Sequence, residues 1–366
     1  MGPAISVVIP LWNKATTVRR CLESVVRQTF QDFEVVVVDD GSTDGGGDIA
    51  RQVMDPRIRV VSQPNRGAAA ARNRGLEESQ ARCVAFLDGD DEWAPQFLAA
   101  IMGLIERFPR AGMYVTGLRH SWEKEGYYED ISFVLPGEGD IGQTDEYFAA
   151  PWEAHGMASG SSTAIRKEVV DVVGAFPVGE PMGQEVDLWV RIAARYPVAF
   201  DRRILAIYHR DEGQREGRRA SLKWPYPPAI RSLRKVVEAG GLPPDKLAQI
   251  KRFVDYRAME NVYWQAWLKL PSTRQVILEE PYYTWRYRLE GALLRWGVRI
   301  LSPKMLYRLR WIPVAAVRKL KRLFFGSPDV VVGRVFVRRR MPATTESQGA
   351  GSPELAPHMT SSAHDP

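Results

Sequence analysis

Cysteine is nearly absent from this chain: Cys21 and Cys83 are the only two in 366 residues, and each lies in an apolar run. That excludes a disulfide framework and a thiolate metal cluster, and it fits a reducing compartment. No stretch reaches the roughly 18 uncharged apolar residues that a membrane-spanning helix needs. The opening MGPAISVVIPLWNK has too short an apolar run, and no basic region before it, to read as a signal peptide. A cytoplasmic protein is expected. Common nucleotide and hydrolase signatures are also missing. Where a dinucleotide-binding G-x-G-x-x-G would follow the first strand, Trp12-Asn13-Lys14 stand instead, and no P-loop, H-E-x-x-H or G-x-S-x-G occurs. A nicotinamide oxidoreductase is thereby excluded. No internal repeat is visible.

What is present suffices for a full-sized core and a second, smaller unit: 45% of residues are hydrophobic and 26% charged. Short β-branched runs at 5–10, 34–38, 58–62 and 83–87 alternate with helical segments at about 14–28, 42–54 and 67–80. This spacing predicts an α/β fold of βαβ units, with a mostly parallel sheet between helices. In such sheets ligands bind beyond the carboxyl ends of the strands. Those ends carry Pro10 to Asn13, Asp39-Asp40-Gly41 and Asp88-Gly89-Asp90-Asp91.

Further elements are predicted as a helix near 94–108, a strand near 112–118, an irregular Gly-rich stretch to about 142, and a strand near 160–165. Helices near 166–173 and 184–196 follow, and a strand at 204–208 closes the domain. The expected division is 1–221 for the α/β domain, 222–340 for a helical, basic and aromatic C-terminal region, and 341–366 for a disordered tail rich in Pro, Ser, Thr and Gly.

The net charge of +6 is concentrated in that C-terminal region, since 286–340 holds about 15 Arg and Lys against two acids. Between 304 and 325 cations alternate with Trp, Leu and Phe, which suits peripheral contact with an anionic membrane or a helical unit packed on the core. It suits a nucleic-acid platform less well, so no nucleic-acid partner is expected.

The acidic turn Asp88-Gly89-Asp90-Asp91 follows the apolar strand CVAFL directly. A diphosphate needs a divalent ion held by hard oxygen ligands, and two carboxylates one residue apart, with Gly89 keeping the backbone close, can share one. At the second strand end, a carboxylate of Asp39 or Asp40 beside Gly41 can accept from a base or ribose hydroxyl, Ser42 is a candidate ligand contact or a helix cap, and Asp44 suits helix capping. The segment Asn65 to Gly75 reads as a helix whose Ala run allows close packing, with Arg72 and Asn73 able to reach the nucleotide side.

In this order, P-x-W-N, DDGSTD, NRGAAAARNRG and FLDGDDEW resemble the family 2 glycosyltransferases with the GT-A fold, over roughly residues 4–210. The resemblance implies a nucleotide diphosphate-sugar donor, UDP-linked by preference, and a divalent metal, Mn²⁺ or Mg²⁺. It implies that Asp40 reads the nucleobase, that Asp88 lies near the ribose and the metal, that Asp90 holds the metal, and that Pro10 and Asn13 begin the donor pocket. Gly160 to Lys167 resembles the family's acceptor-side strand. Gly183 to Trp189 resembles the start of its catalytic helix. The usual pair there is Glu-Asp, with Asp as general base; here Gln184-Glu185 puts Glu185, one methylene longer, in the base position. Inversion requires such a carboxylate opposite the leaving phosphate, although a helix start lowers its basicity. Asp187 is a second candidate, or an ordinary first-turn acid. His209 falls where some relatives place a metal or phosphate contact, or is a surface residue. The implied acceptor is a hydroxyl of a glycan or lipid-linked glycan in cell-envelope polysaccharide or glycolipid synthesis. The competing reading is a non-catalytic nucleotide-sugar or glycan binder on the same fold.

Overall fold

The runs ISVVIPL and FEVVVVD lack a polar face, and both become strands buried on either side, β1 (Ile5–Leu11) and β2 (Phe33–Asp39). In the computed structural model, which describes residues 2–122, 127–131, 139–149, 158–180, 182–210, 228–267, 281–283 and 338–340, these strands pair in parallel. β1 also pairs in parallel with β4 (Cys83–Phe86), and β2 with β3 (Ile58–Ser62). Helices α1 (Val18–Val26), α2 (Gly46–Arg51) and α3 (Ala68–Glu78) connect them. Helices α1 and α2 start later than the sequence periodicity predicts, because the residues ahead of them form loops that clasp each other at the strand ends.

The second half is antiparallel for the most part, so the sheet is mixed. Its elements are β5 (Glu92–Trp93), α4 (Phe97–Arg107), β6 (Met113–Trp122), β7 (Tyr127–Ile131), β8 (Ile141–Thr144), β9 (Thr163–Arg166), α5 (Val169–Val173), α6 (Gln184–Arg195) and β10 (Val198–His209). β9 runs antiparallel between β4 and β6. The closing strand is longer than the 204–208 expected. β10 begins at Val198 because it pairs in parallel with β6 along its length while β8 and β5 add antiparallel partners, with register shifts between Asp201 and Ala206. The stretch expected to be irregular supplies β7 and β8.

The two sheet faces carry separate cores. Val7, Ile9, Val35 and Val37 point to α1 and α4, meeting Leu22, Val25, Phe97 and Ile101. Val8, Val36 and Phe86 point to α3 and α6, meeting Ala71, Leu76, Leu188 and Trp189. Helix α3 lies close on β1: a Cβ at Gly75 would fall 2.2 Å from Val8 Cγ1, so glycine is required there. Both cysteines are buried, as expected.

Two further helices, α7 (Pro228–Ala239) and α8 (Pro244–Trp267), extend the second core through Ile230, Leu233, Ile250, Phe253 and Val254. A short strand, β11 (Arg338–Arg340), adds to β7. Among the described residues no helix is long and apolar enough to cross a membrane. The basic segment 286–325 and the tail 341–366 lie outside the described residues.

Candidate active site

Sheet order 3-2-1-4 brings the carboxyl ends of β1, β2 and β4 side by side. The chain reverses its direction of travel across the sheet between β1 and β4, which opens a crevice at that edge. The loops beyond β1 and β2 are interlocked. Asp40 N–H donates to Leu11 O at 2.8 Å. Asn13 is the only non-glycine residue with positive φ among those described, at 51°; its Oδ1 accepts from Thr43 N–H at 2.9 Å, and its own N–H donates to Ser42 Oγ at 3.2 Å. Asp44 accepts from Ala15 and Gly46 N–H, fixing the entry to α2. Trp12, 54% exposed, lies beside this knot. Pro10 is half-buried at the end of β1.

The two carboxylates of β2 serve this architecture first. Asp39 accepts from Ser42 N–H at 3.0 Å and lies against the start of α2, where a Cβ on Gly47 would fall 2.2 Å from its Oδ2. Asp40 takes Gln63 Nε2 and the N–H groups of Arg66 and Gly67 at 2.7 to 2.9 Å, which fastens the loop leading into α3. Three donors on about four lone-pair positions leave Asp40 one acceptor position for a base. Gly41, at φ +73°, lets Asn65 approach: a side chain there would meet Asn65 N at 3.0 Å.

The turn after β4 gathers the acids. Asp88 is half-buried, with Oδ1 2.6 Å from Arg72 Nη2 and its N–H donating to Ser161 Oγ at 3.1 Å. Asp90 pairs with Lys14 Nζ, and Gly89 O accepts from Thr17 Oγ1 at 2.9 Å. Asp91 is fully buried, accepting from Ser161 Oγ at 2.5 Å and His209 N–H at 3.1 Å. Burial raises the Asp91 pKa well above the usual carboxylate value, and the charges of Asp90 and Asp88 push it further. Burial opposes the charge on Lys14, but Asp90 together with Asp88 and Asp91 overrides it, so the net shift of its pKa is upward.

Asp88 is half-buried beside Arg72 and Asp90 is buried beside Lys14; their hard carboxylate oxygens, one residue apart, suit a divalent cation that would take the place of Lys14 at Asp90. Among the described residues no group of three or more metal-capable side chains converges. An ion here would complete its shell with phosphate oxygens and water, as Mg²⁺-type sites do.

Across the crevice, α6 starts after Gly183, at φ +80°, and presents Glu185 in its first turn. Its Oε1 lies 2.5 Å from Arg72 Nη2. Burial raises the Glu185 pKa, and Arg72 offsets this only in part. Burial thus leaves Glu185 a stronger base than an exposed carboxylate.

Three sequence expectations are corrected. Asn73 does not face the crevice: its amide exchanges two 2.9 Å hydrogen bonds with the backbone of Phe176, locking the 174–177 loop to α3. Asp187 is 1% exposed and paired with Arg191 at 2.7 Å, within its own helix. His209 is not on the surface; it is 3% exposed, with Nε2 3.0 Å from Glu92. Lys14 and Ser161 join the site without having been singled out. Lys14 was signalled by following P-x-W-N directly; nothing local marks Ser161.

Residues 6–174 match the sequence profile of the family described as Glycosyl transferase family 2. The uncharacterized glycosyltransferase YibD of Escherichia coli strain K12 is 41% identical over 100 residues, 27% of this chain and 29% of that protein. The chain spans at most 29% of the length of the first four curated relatives it matches. In structure it is similar to Staphylococcus aureus TarS 1–349 in complex with UDP-GlcNAc, with TM-score 0.56 at 16% identity, covering 81% of this chain and 78% of that one. It is also similar to the mannosyltransferase PcManGT of Pyrobaculum calidifontis in complex with GDP-Man and Mn²⁺, with TM-score 0.53 at 18% identity and 88% of each chain covered. Over residues 6–174 the chain is thus similar in sequence to the glycosyltransferase family 2 proteins, and its fold is of the GT-A type.

Proposed function

We propose that the protein is an inverting glycosyltransferase that moves a sugar from a nucleoside diphosphate-sugar to a hydroxyl of a glycan or lipid-linked acceptor. The observation that carries this reading is the pairing of Glu185, a carboxylate of raised basicity, with the acidic Asp88–Asp90 turn across one crevice. TarS with UDP-GlcNAc and PcManGT with GDP-Man and Mn²⁺ support a nucleotide-sugar donor by analogy of fold. UDP is the preferred nucleotide, with an acceptor from cell-envelope polysaccharide or glycolipid synthesis.

In this reading the exposed face of Trp12 and the remaining acceptor position of Asp40 meet the base, and Asp88 meets the ribose. Asp90, with Asp88, would hold Mn²⁺ or Mg²⁺. A divalent ion bound there neutralises the diphosphate and makes it a better leaving group. Glu185 takes the proton of the acceptor hydroxyl as its oxygen bonds to the anomeric carbon and the bond to the phosphate oxygen breaks on the opposite face. His209, held by Glu92, supports the turn from behind through its backbone bond to Asp91.

A thermal-shift screen of nucleoside diphosphates and their sugars, with and without Mn²⁺, tests the donor assignment, because a bound ligand stabilises by mass action. Metal-dependent stabilisation by UDP is expected in the wild type and absent in Asp90→Ala. Unchanged metal-dependent stabilisation in Asp90→Ala would overturn the metal assignment. Turnover of the stabilising donor separates an enzyme from a binding protein.

A further inference from the structure

Arg72 lies on α3, which belongs to neither the acidic turn nor the base helix, yet it touches both. It is 3% exposed, and its Nη2 alone bridges Asp88 Oδ1 at 2.6 Å and Glu185 Oε1 at 2.5 Å. Its other two nitrogens, Nε and Nη1, are buried and reach no acceptor among the described residues. The two carboxylates are therefore the only polar partners of the guanidinium among the described residues. Leaving two donors buried and unsatisfied is costly, and a structure that tolerates it does so for a reason.

The surroundings hold this arrangement from the other side. The guanidinium carbon lies 5.8 Å from the Phe176 ring centroid. Phe176 packs on Phe86 at 5.2 Å and Trp189 at 5.8 Å between centroids, and Asn73, next to Arg72, pins its backbone. Arg191, anchored by Asp187, donates to the carbonyls of Val173, Gly174 and Ala175. Strand β4, helices α3 and α6, and the 174–177 loop thus close around one cation.

Glutamate in the base position brings one more rotatable bond than aspartate, and the Glu185 side chain is still 25% exposed. Something outside α6 must select its productive rotamer, because a misplacement of about 1 Å can cost about 10²-fold in rate. We propose that Arg72 is the positioning residue for Glu185, tying it to Asp88 so that base and donor-binding turn keep a fixed spacing. This rests on Glu185 being the base.

The test is a double-mutant cycle on hydrolysis of UDP-GlcNAc and of GDP-mannose with Mn²⁺, where water replaces the acceptor. Glu185→Gln is expected to slow hydrolysis by about 10² to 10⁴. Arg72→Met should slow it by about 10² in the wild-type background and by no more than about twofold in the Glu185→Gln background, the non-additivity of residues acting through one another. Arg72→Lys, which keeps a buried cation, is read in the same cycle should Arg72→Met not fold. An equal loss in both backgrounds would overturn the proposal, since a structural Arg72 would act independently of Glu185. Full hydrolysis in Glu185→Gln would instead remove the base assignment itself, while Asp90→Ala still reported on the donor site.

Discussion

Replacing Asp187 separates a structural acid from a catalytic one on the same helix turn. Its carboxylate is 1% exposed, one oxygen meets Arg191 at 2.7 and 2.8 Å, and the other reaches no donor among the described residues. Removing one partner of a buried ion pair costs about 3 to 5 kcal/mol. Arg191 keeps its carbonyl acceptors on the 173–175 turn, which puts Asp187→Ala at the lower end, about 3 kcal/mol. At roughly 2 to 4 °C per kcal/mol for a domain of this size, Tm should fall by about 6 to 12 °C. Asp187→Asn keeps an acceptor for Arg191 and should lose less than half of that. Both variants, measured by calorimetry, should retain donor hydrolysis within about tenfold at a temperature where they are folded, since it is the loss of a group at the reacting atoms that slows a reaction by about 10²-fold or more. An Asp187→Asn protein with unchanged Tm but hydrolysis lost by about 10²-fold or more would make Asp187 the base and refute the reasoning.

The raised pKa of Glu185 fixes the sign of the pH dependence: a base must be ionised, so the rate should fall with acidification through a pKa above the ordinary glutamate value, and that limb should disappear in Glu185→Gln. Asp40→Ala strips Arg66 and Gly67 N–H of their acceptor, costing about 1 to 3 kcal/mol. It should lower Tm and weaken UDP binding together, and a loss of binding at unchanged Tm would make Asp40 a base contact alone. Liposome co-sedimentation checks the basic C-terminal segment: pelleting with anionic vesicles at low salt should exceed that with neutral ones and vanish on truncation after Glu280, because each basic residue near an anionic surface contributes about 1 kcal/mol.

The sequence alone determined the parallel strands β1 to β4 and the side of the sheet on which the chemistry gathers. Unbroken Val and Ile runs at β1 and β2 can be satisfied only by burial on both faces, and the acids that follow β2 and β4 then have to stand at their carboxyl ends. The Ala run likewise announced a closely packed helix, and the structure shows that Gly75 is what brings it onto β1. What each acid does there was decided by tertiary structure. In sequence Asp39, Asp40, Asp91 and Asp187 look as available as Asp88, Asp90 and Glu185. The fold gives Asp40 to a loop, Asp91 to Ser161 and the backbone of His209, and Asp187 to Arg191. Asn73 finds its partner 103 residues away in Phe176, and Arg72 joins two carboxylates from separate elements. A local pattern reports where an element begins and which face it buries. The partner of a charged side chain depends on chain segments brought together only by folding, and with it the group's ionisation and its role.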